Sequence, residues 1–158
     1  MIENIDFLLV GNSRLHWAQK LNNNYKFYHT QKNINNIPQE INLNNLIWAS
    51  VGKLPNLFLK KENEIITRDI KLKNLPDYFG VDRALGCFEA LKIIENPFQR
   101  DLLIADFGTT LTITKLTAKG SIIGGQILPG FLTQLRALEN YTESSTLLEQ
   151  FKYQTKIF

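Results

Sequence analysis

The sequence predicts an α/β fold built from two similar halves, the second of them incomplete. Strand-like apolar runs alternate with stretches at helical spacing, and the same turn occurs twice. The first copy is Leu8-Leu9-Val10-Gly11-Asn12-Ser13, near the start; the second is Ala105-Asp106-Phe107-Gly108-Thr109-Thr110, past the middle. In each, an apolar strand runs into Gly and small hydroxyl or amide residues, and a second strand-like run follows, Leu15–Leu21 or Leu111–Leu116. Glycine lets backbone approach a ligand closely. Successive N–H groups in a tight turn form an anion-binding concavity. Two such turns point to a duplicated fold that holds a polyphosphate between its halves, as a kinase or ATPase does. The halves are assigned to residues 1–98 and 99–158.

The elements follow in order. Residues 5–10, 14–21 and 25–30 read as three strands joined by short turns, with Asn22 to Asn24 as one of them. Residues 31–45 are polar and Asn-rich, which fits a loop or a weak helix. Leu46-Ile47-Trp48-Ala49-Ser50-Val51 reads as a buried strand, and Pro55 then breaks the pattern. Residues 64–70 are β-rich, and a turn at Asp77 to Gly80 follows Pro76. From Asp82 the period changes: Leu85, Phe88, Leu91 and Ile94 recur at helical spacing and the helix stops before Pro97. The second half restarts with a strand at Leu102–Ala105, the Gly turn, Leu111–Leu116, a turn at Lys119-Gly120 and a strand at Ser121–Leu128. Pro129 and Gly130 open a helix with Leu132, Leu135 and Leu138 on one face.

Composition narrows the class. The chain has 158 residues, one domain or two small ones, and its 44% apolar share is ordinary for a globular protein. The net charge of +3 is spread out, with no dense Lys/Arg block, so nucleic-acid and membrane partners gain no support. The one cysteine, Cys87, has no disulfide or zinc partner and sits among helix residues as a buried side chain. No segment reaches membrane-spanning length and the N-terminus lacks a signal pattern, so a cytoplasmic protein is expected.

Three clusters can carry chemistry. In Gly80-Val81-Asp82-Arg83 the Asp opens a helix, where it can cap exposed N–H groups or accept a proton from a hydroxyl attacking phosphorus. Arg83 can fork onto a substrate carboxylate or amide, or lie solvated. Asp106 can hold a cation beside bound phosphates or bond its own turn. Thr109 offers a phosphate both its N–H and its hydroxyl. The pair Gly124-Gly125 inside a strand marks close approach of a ligand or another backbone. His16 on its strand reads as structural, and no Ser-His-Asp or His-rich metal pattern occurs.

Taken in order, Gly11-Asn12-Ser13, Gly80-Val81-Asp82-Arg83-Ala84, Asp106-Phe107-Gly108-Thr109-Thr110 and Gly124-Gly125-x-Ile127-x-Pro129-Gly130 resemble the type III pantothenate kinases. These belong with the acetate and sugar kinases in the actin-like ATPase superfamily, whose halves are ribonuclease H-like. The run Gly11 to Trp17 looks most like the cyanobacterial branch. The resemblance implies ATP-dependent phosphorylation of pantothenate, the first step of coenzyme A synthesis. It makes Asp82 the general base and has Gly80, Val81, Asp82 and Arg83 line the pantothenate site. Leu9, Val10, Gly11, Asn12, Ser13, Arg14, Leu15 and His16 form the first phosphate loop, and Thr109 touches ATP. By the same resemblance Asp106 would hold a monovalent cation, potassium or ammonium, and magnesium would accompany ATP. A homodimer is implied.

The chain departs from the family in three places. The first motif usually begins with Asp, as Asp-x-Gly-Asn-Thr, and here that position is Leu9, which cannot bind a cation. The family's substrate Tyr has no match in register, Tyr78 being nearby. The resemblance runs out after Tyr141, which points to a premature stop or a frameshift. Two other readings stand beside the kinase: an inactive relative that binds nucleotide weakly, and a regulatory accessory factor.

Overall fold

Two β-meanders, each built on alternating apolar residues, frame one helix. The structure is a computed structural model, and it describes residues 5–22, 24–32, 37–54, 59–94 and 100–141. The first sheet has strands β1 (Asp6–Val10), β2 (Arg14–Leu21), β3 (Asn24–Gln31) and β4 (Leu46–Ser50), in the order β3-β2-β1-β4. The first three pair antiparallel, and β4 lies parallel to β1 on its other side. Asn22 takes a positive φ of 55° between β2 and β3, a conformation Asn tolerates because its short polar side chain bonds locally.

Period-two alternation sends Leu8, Val10, Leu15, Trp17, Leu46 and Trp48 to one face, where they form the core with Ile41. Burying each Leu or Val side chain there stabilises by about 1.5–3 kcal/mol. Most polar groups that enter this core are met, though Asp6 Oδ1 and the Tyr28 hydroxyl are buried without a hydrogen bond among the described residues. The Trp17 indole N–H donates to Thr30 Oγ1 at 2.9 Å and that of Trp48 to the Lys60 carbonyl at 2.9 Å. The Asn42 N–H donates to the buried Asp6 carboxylate at 2.6 Å. Phe7, Leu9, His16 and Ala49 lie on the opposite face, along an apolar groove of about 230 Å³ that Leu85 borders.

Within 31–45, a short 3-10 turn at Leu43–Asn45 is capped by the Asn42 side chain. The β-rich run 64–70 is not a strand. It makes one bridge, Glu64 to Trp48, and then a 3-10 turn at Thr67–Asp69. Local polar groups win there: the Asp69 carboxylate accepts the Ile66 N–H at 2.9 Å, and the Thr67 hydroxyl donates to the Phe79 carbonyl at 2.7 Å.

Helix α1 (Val81–Ile93) starts one residue earlier than its spacing suggested, with Gly80 as N-cap. Its buried stripe is Val81, Ala84 and Cys87, with Leu85, Phe88 and Leu91 half-buried at its flanks and Ile94 exposed. Small residues in that stripe let α1 pack against β4 of the first sheet and against β5 and β6 of the second. Pro97, the expected helix stop, lies outside the described residues. Burial pushes the Cys87 thiol above its ordinary pKa, as expected of an inert core side chain.

The second sheet is an antiparallel meander of β5 (Leu102–Phe107), β6 (Thr110–Leu116) and β7 (Ile122–Pro129), in that order. The connector after β4 zips onto it. Lys73 bridges Ser121, and Gly120, at φ +75°, turns the chain between β6 and β7. Pro129 does not enter the helix: it is the last residue of β7, opposite Thr110, and α2 (Phe131–Tyr141) begins two residues later. Of the expected apolar face of α2, Leu135 is buried while Leu132 and Leu138 are exposed. Leu103 and Phe107 on β5 are also exposed, at 71% and 77%.

Candidate functional site

The two glycine turns meet. Ser13 Oγ and Thr109 Oγ1, 96 positions apart in sequence, lie 2.7 Å from each other. This hydrogen bond joins the β1–β2 turn of the first sheet to the β5–β6 turn of the second.

The first turn is closed by the Gly11 N–H donating to the Arg14 carbonyl at 3.0 Å. A side chain fits tightly there, because a Cβ at Gly11 would press against His16 Nε2 at 3.1 Å and the Arg14 carbonyl at 3.2 Å. Of the segment Leu9 to His16, Val10 and Leu15 put their side chains into the core, so only their backbone can face a ligand. Asn12, Ser13 and Arg14 are exposed; Leu9 and His16 are half-buried and directly opposite one another across β1 and β2. The parallel strand β4 ends beside this turn. The Val51 N–H donates to the Val10 carbonyl at 3.0 Å, and a Cβ on Gly52 would lie 2.8 Å from the Gly11 carbonyl.

The second turn is buttressed by the start of α2. The Thr109 carbonyl accepts the Gly130 N–H at 3.0 Å and the Thr133 hydroxyl at 2.8 Å. Gly130 leaves no room for a side chain, since a Cβ there would collide with the Gly108 carbonyl.

His16 and His29 are cross-strand neighbours whose Nδ1 atoms lie 2.9 Å apart. Burial pushes the His16 imidazole below its ordinary pKa, the charges of His29 and Arg14 add to that, and Asp106 pulls the other way. Asp106, exposed near the end of β5, lies two residues before Gly108 of the second turn. Among the described residues no group of three or more His, Cys, Asp and Glu comes together to hold a metal ion. The donors at hand are one carboxylate and the Ser13 and Thr109 hydroxyls. These hard oxygens fit an ion held mainly by phosphates and water, as magnesium usually is.

Asp82 sits in the first turn of α1, half-buried, and its Oδ1 accepts the Arg83 N–H at 2.7 Å. Among the described residues its Oδ2 takes no hydrogen bond. A Cβ on Gly80 would lie 2.7 Å from that Oδ1, so glycine makes room for the carboxylate. Val81 points into the core. Arg83 ties α1 to the second sheet: its Nε–H donates to Thr114 Oγ1 at 2.6 Å, and an Nη2–H donates to the Ile113 carbonyl at 2.9 Å. Its guanidinium lies 4.4 Å from the Phe79 ring centroid. The close approach marked by Gly125 is this one, because a Cβ there would meet both the Ile113 carbonyl and Arg83. His29, Lys32 and Gly52 were not singled out in the sequence; nothing around them there marks a site.

A family model described as type III pantothenate kinase matches residues 37–155. The chain belongs to the type III pantothenate kinase family. The match contains Gly80 to Arg83, Asp106 to Thr110 and Gly124 to Gly130, and it continues past Tyr141, beyond the point where the motifs alone stop. Residues 142–158 lie outside the described residues. The type III pantothenate kinase of Thermosynechococcus vestitus is 33% identical over 144 residues, covering 85% of this chain and 53% of its own length. That of Synechocystis is 34% identical over 136 residues, covering 83% of this chain and 51% of its own. The Gloeobacter violaceus protein is 40% identical over a shorter stretch of 74 residues, 47% of this chain and 31% of its own. The chain thus spans about half the length of the relatives that match most of it.

Proposed function

We propose that this chain phosphorylates pantothenate with ATP, giving 4′-phosphopantothenate and ADP, the first step of coenzyme A biosynthesis. The observation that carries the reading is the Ser13–Thr109 contact, which puts two glycine-rich turns from two sheets on one spot. Turn N–H groups not used in closing the turns would then face the phosphates. Membership of the kinase family gives the substrates their names.

In this reading the backbone of Leu9 to His16 and the Thr109 hydroxyl hold the ATP phosphates. Gly80, Val81 and Arg83 border the pantothenate, with Val81 contributing backbone and Arg83 whatever donors its bonds to β6 leave over. Asp82 Oδ2 takes the proton from the pantothenate hydroxyl as its oxygen bonds to the γ-phosphorus and the bond to ADP breaks. Asp106, with Ser13 and Thr109, would hold a cation: potassium or ammonium beside the phosphates, with magnesium travelling on ATP. Such ions neutralise charge that builds on the transferred phosphoryl group. The two sheets are read as duplicated ribonuclease H-like halves, residues 1–98 and 99–158. Both meanders run antiparallel with the glycine turn between their first and second strands. A homodimer in the cytoplasm completes the reading; no helix among the described residues is long and apolar enough to cross a membrane.

A second reading, nucleotide binding without turnover, is favoured by Leu9 in place of a carboxylate and by the exposed apolar residues of β5 and α2. ADP release by the purified chain with ATP, magnesium and potassium separates the two. The kinase reading expects release that depends on pantothenate and is lost in Asp82→Asn. Absent release would leave the second reading, and pantothenate-independent release would contradict both.

A further inference from the structure

We infer that Lys32 is a phosphate-binding residue of the nucleotide site, supplying at the first glycine turn the positive charge that Leu9 cannot recruit. This rests on the nucleotide reading of that turn. Strand β3 ends at Gln31, opposite Arg14, so the next residue emerges beside the Gly11 turn. Its ammonium occupies the place a Gly52 side chain would fill, over the seam where the Gly11 carbonyl and Gly52 approach. That seam lies at the carboxyl ends of the parallel strands β1 and β4, the position where open α/β sheets bind ligands.

Among the described residues the charge of Lys32 is poorly met. Its hydrogen bond to the Lys53 carbonyl is long, at 3.4 Å. Among the described residues no carboxylate lies within ion-pair distance of it. A half-buried ammonium with one weak partner favours an anion beside it. The charge balance at the turn makes the same point. A carboxylate at position 9 carrying a divalent ion would present one net positive charge to the phosphates. With leucine there, one lysine presents the same charge without a metal.

The test is calorimetric titration of the full chain with ATP and, separately, with inorganic tripolyphosphate, each without and with magnesium. Lys32→Met is expected to weaken both ligands about tenfold, and Lys32→Arg to keep most of the affinity. Unchanged ATP affinity in Lys32→Met, with the same urea midpoint as the parent, overturns the inference alone. Tripolyphosphate binding that depends on Lys32, in a chain that does not bind ATP, supports the anion site and overturns the nucleotide reading. A parent chain that binds neither ligand overturns both.

Discussion

Replacing Arg83 with methionine removes two hydrogen bonds between α1 and β6, to Thr114 Oγ1 at 2.6 Å and to the Ile113 carbonyl at 2.9 Å. Bonds from a charged donor contribute about 1.5–3 kcal/mol each, and this side chain is half-buried, so the low end applies. The stacking of the guanidinium on Phe79 adds about 0.5–1 kcal/mol. A methionine stem keeps part of the packing against Phe79, which leaves an expected loss of about 3 kcal/mol. For a chain of this size that lowers Tm by about 5–10 °C. Urea unfolding of Arg83→Met, Thr114→Val and the double variant isolates the bond between the two side chains. The expected coupling is about 1.5 kcal/mol. Additivity to within about 0.5 kcal/mol would refute the claim that Arg83 ties α1 to β6.

Three further outcomes follow from the same geometry. Gly130→Ala forces a methyl group onto the Gly108 carbonyl, and a loss of about 1–3 kcal/mol in urea unfolding is expected, with weaker ATP binding because the Thr109 turn must move. Trp17→Ala empties a core position that is 1% exposed, and a loss of about 3–5 kcal/mol is expected by the same assay. His16 has a lowered folded pKa, so below its ordinary value near 6.5 the unfolded chain binds more protons than the folded one. Its contribution to stability is therefore complete above that value and is lost as pH falls from there through the folded pKa. Thermal melts between pH 5 and pH 8 should show this slope, and His16→Gln should flatten it.

Much of this was legible because it depended on local pattern. The strands of both meanders declared themselves by alternation, and the helix by its change of period. The glycine turns could be read because closing a chain that tightly restricts the residue types. The misreadings came where local polar bonds or tertiary contacts decided. Residues 64–70 carry β-rich side chains, yet Asp69 and Thr67 draw the backbone into a 3-10 turn. The apolar stripe read on α1, Leu85, Phe88, Leu91 and Ile94, is half-buried or exposed, and the buried face is Val81, Ala84 and Cys87. These small residues are the buried ones because the helix touches two sheets. Pro129 read as a helix entry because its fixed φ suits one, but it also suits the end of an edge strand. Within the site, the meeting of Ser13 and Thr109 could be anticipated from two matching turns. The bridging role of Arg83 could not, because nothing local ties it to Thr114. The placement of Lys32 over Gly52 depends on how β3 ends beside β4, and a polar Asn-rich segment carries no trace of that.

The most direct test of the central claim is product analysis by mass spectrometry after incubating the purified chain with ATP, magnesium, potassium and pantothenate. The account predicts 4′-phosphopantothenate and an equal amount of ADP, with neither formed by Asp82→Asn. Recovery of unchanged pantothenate and ATP from a chain that still melts cooperatively would contradict it.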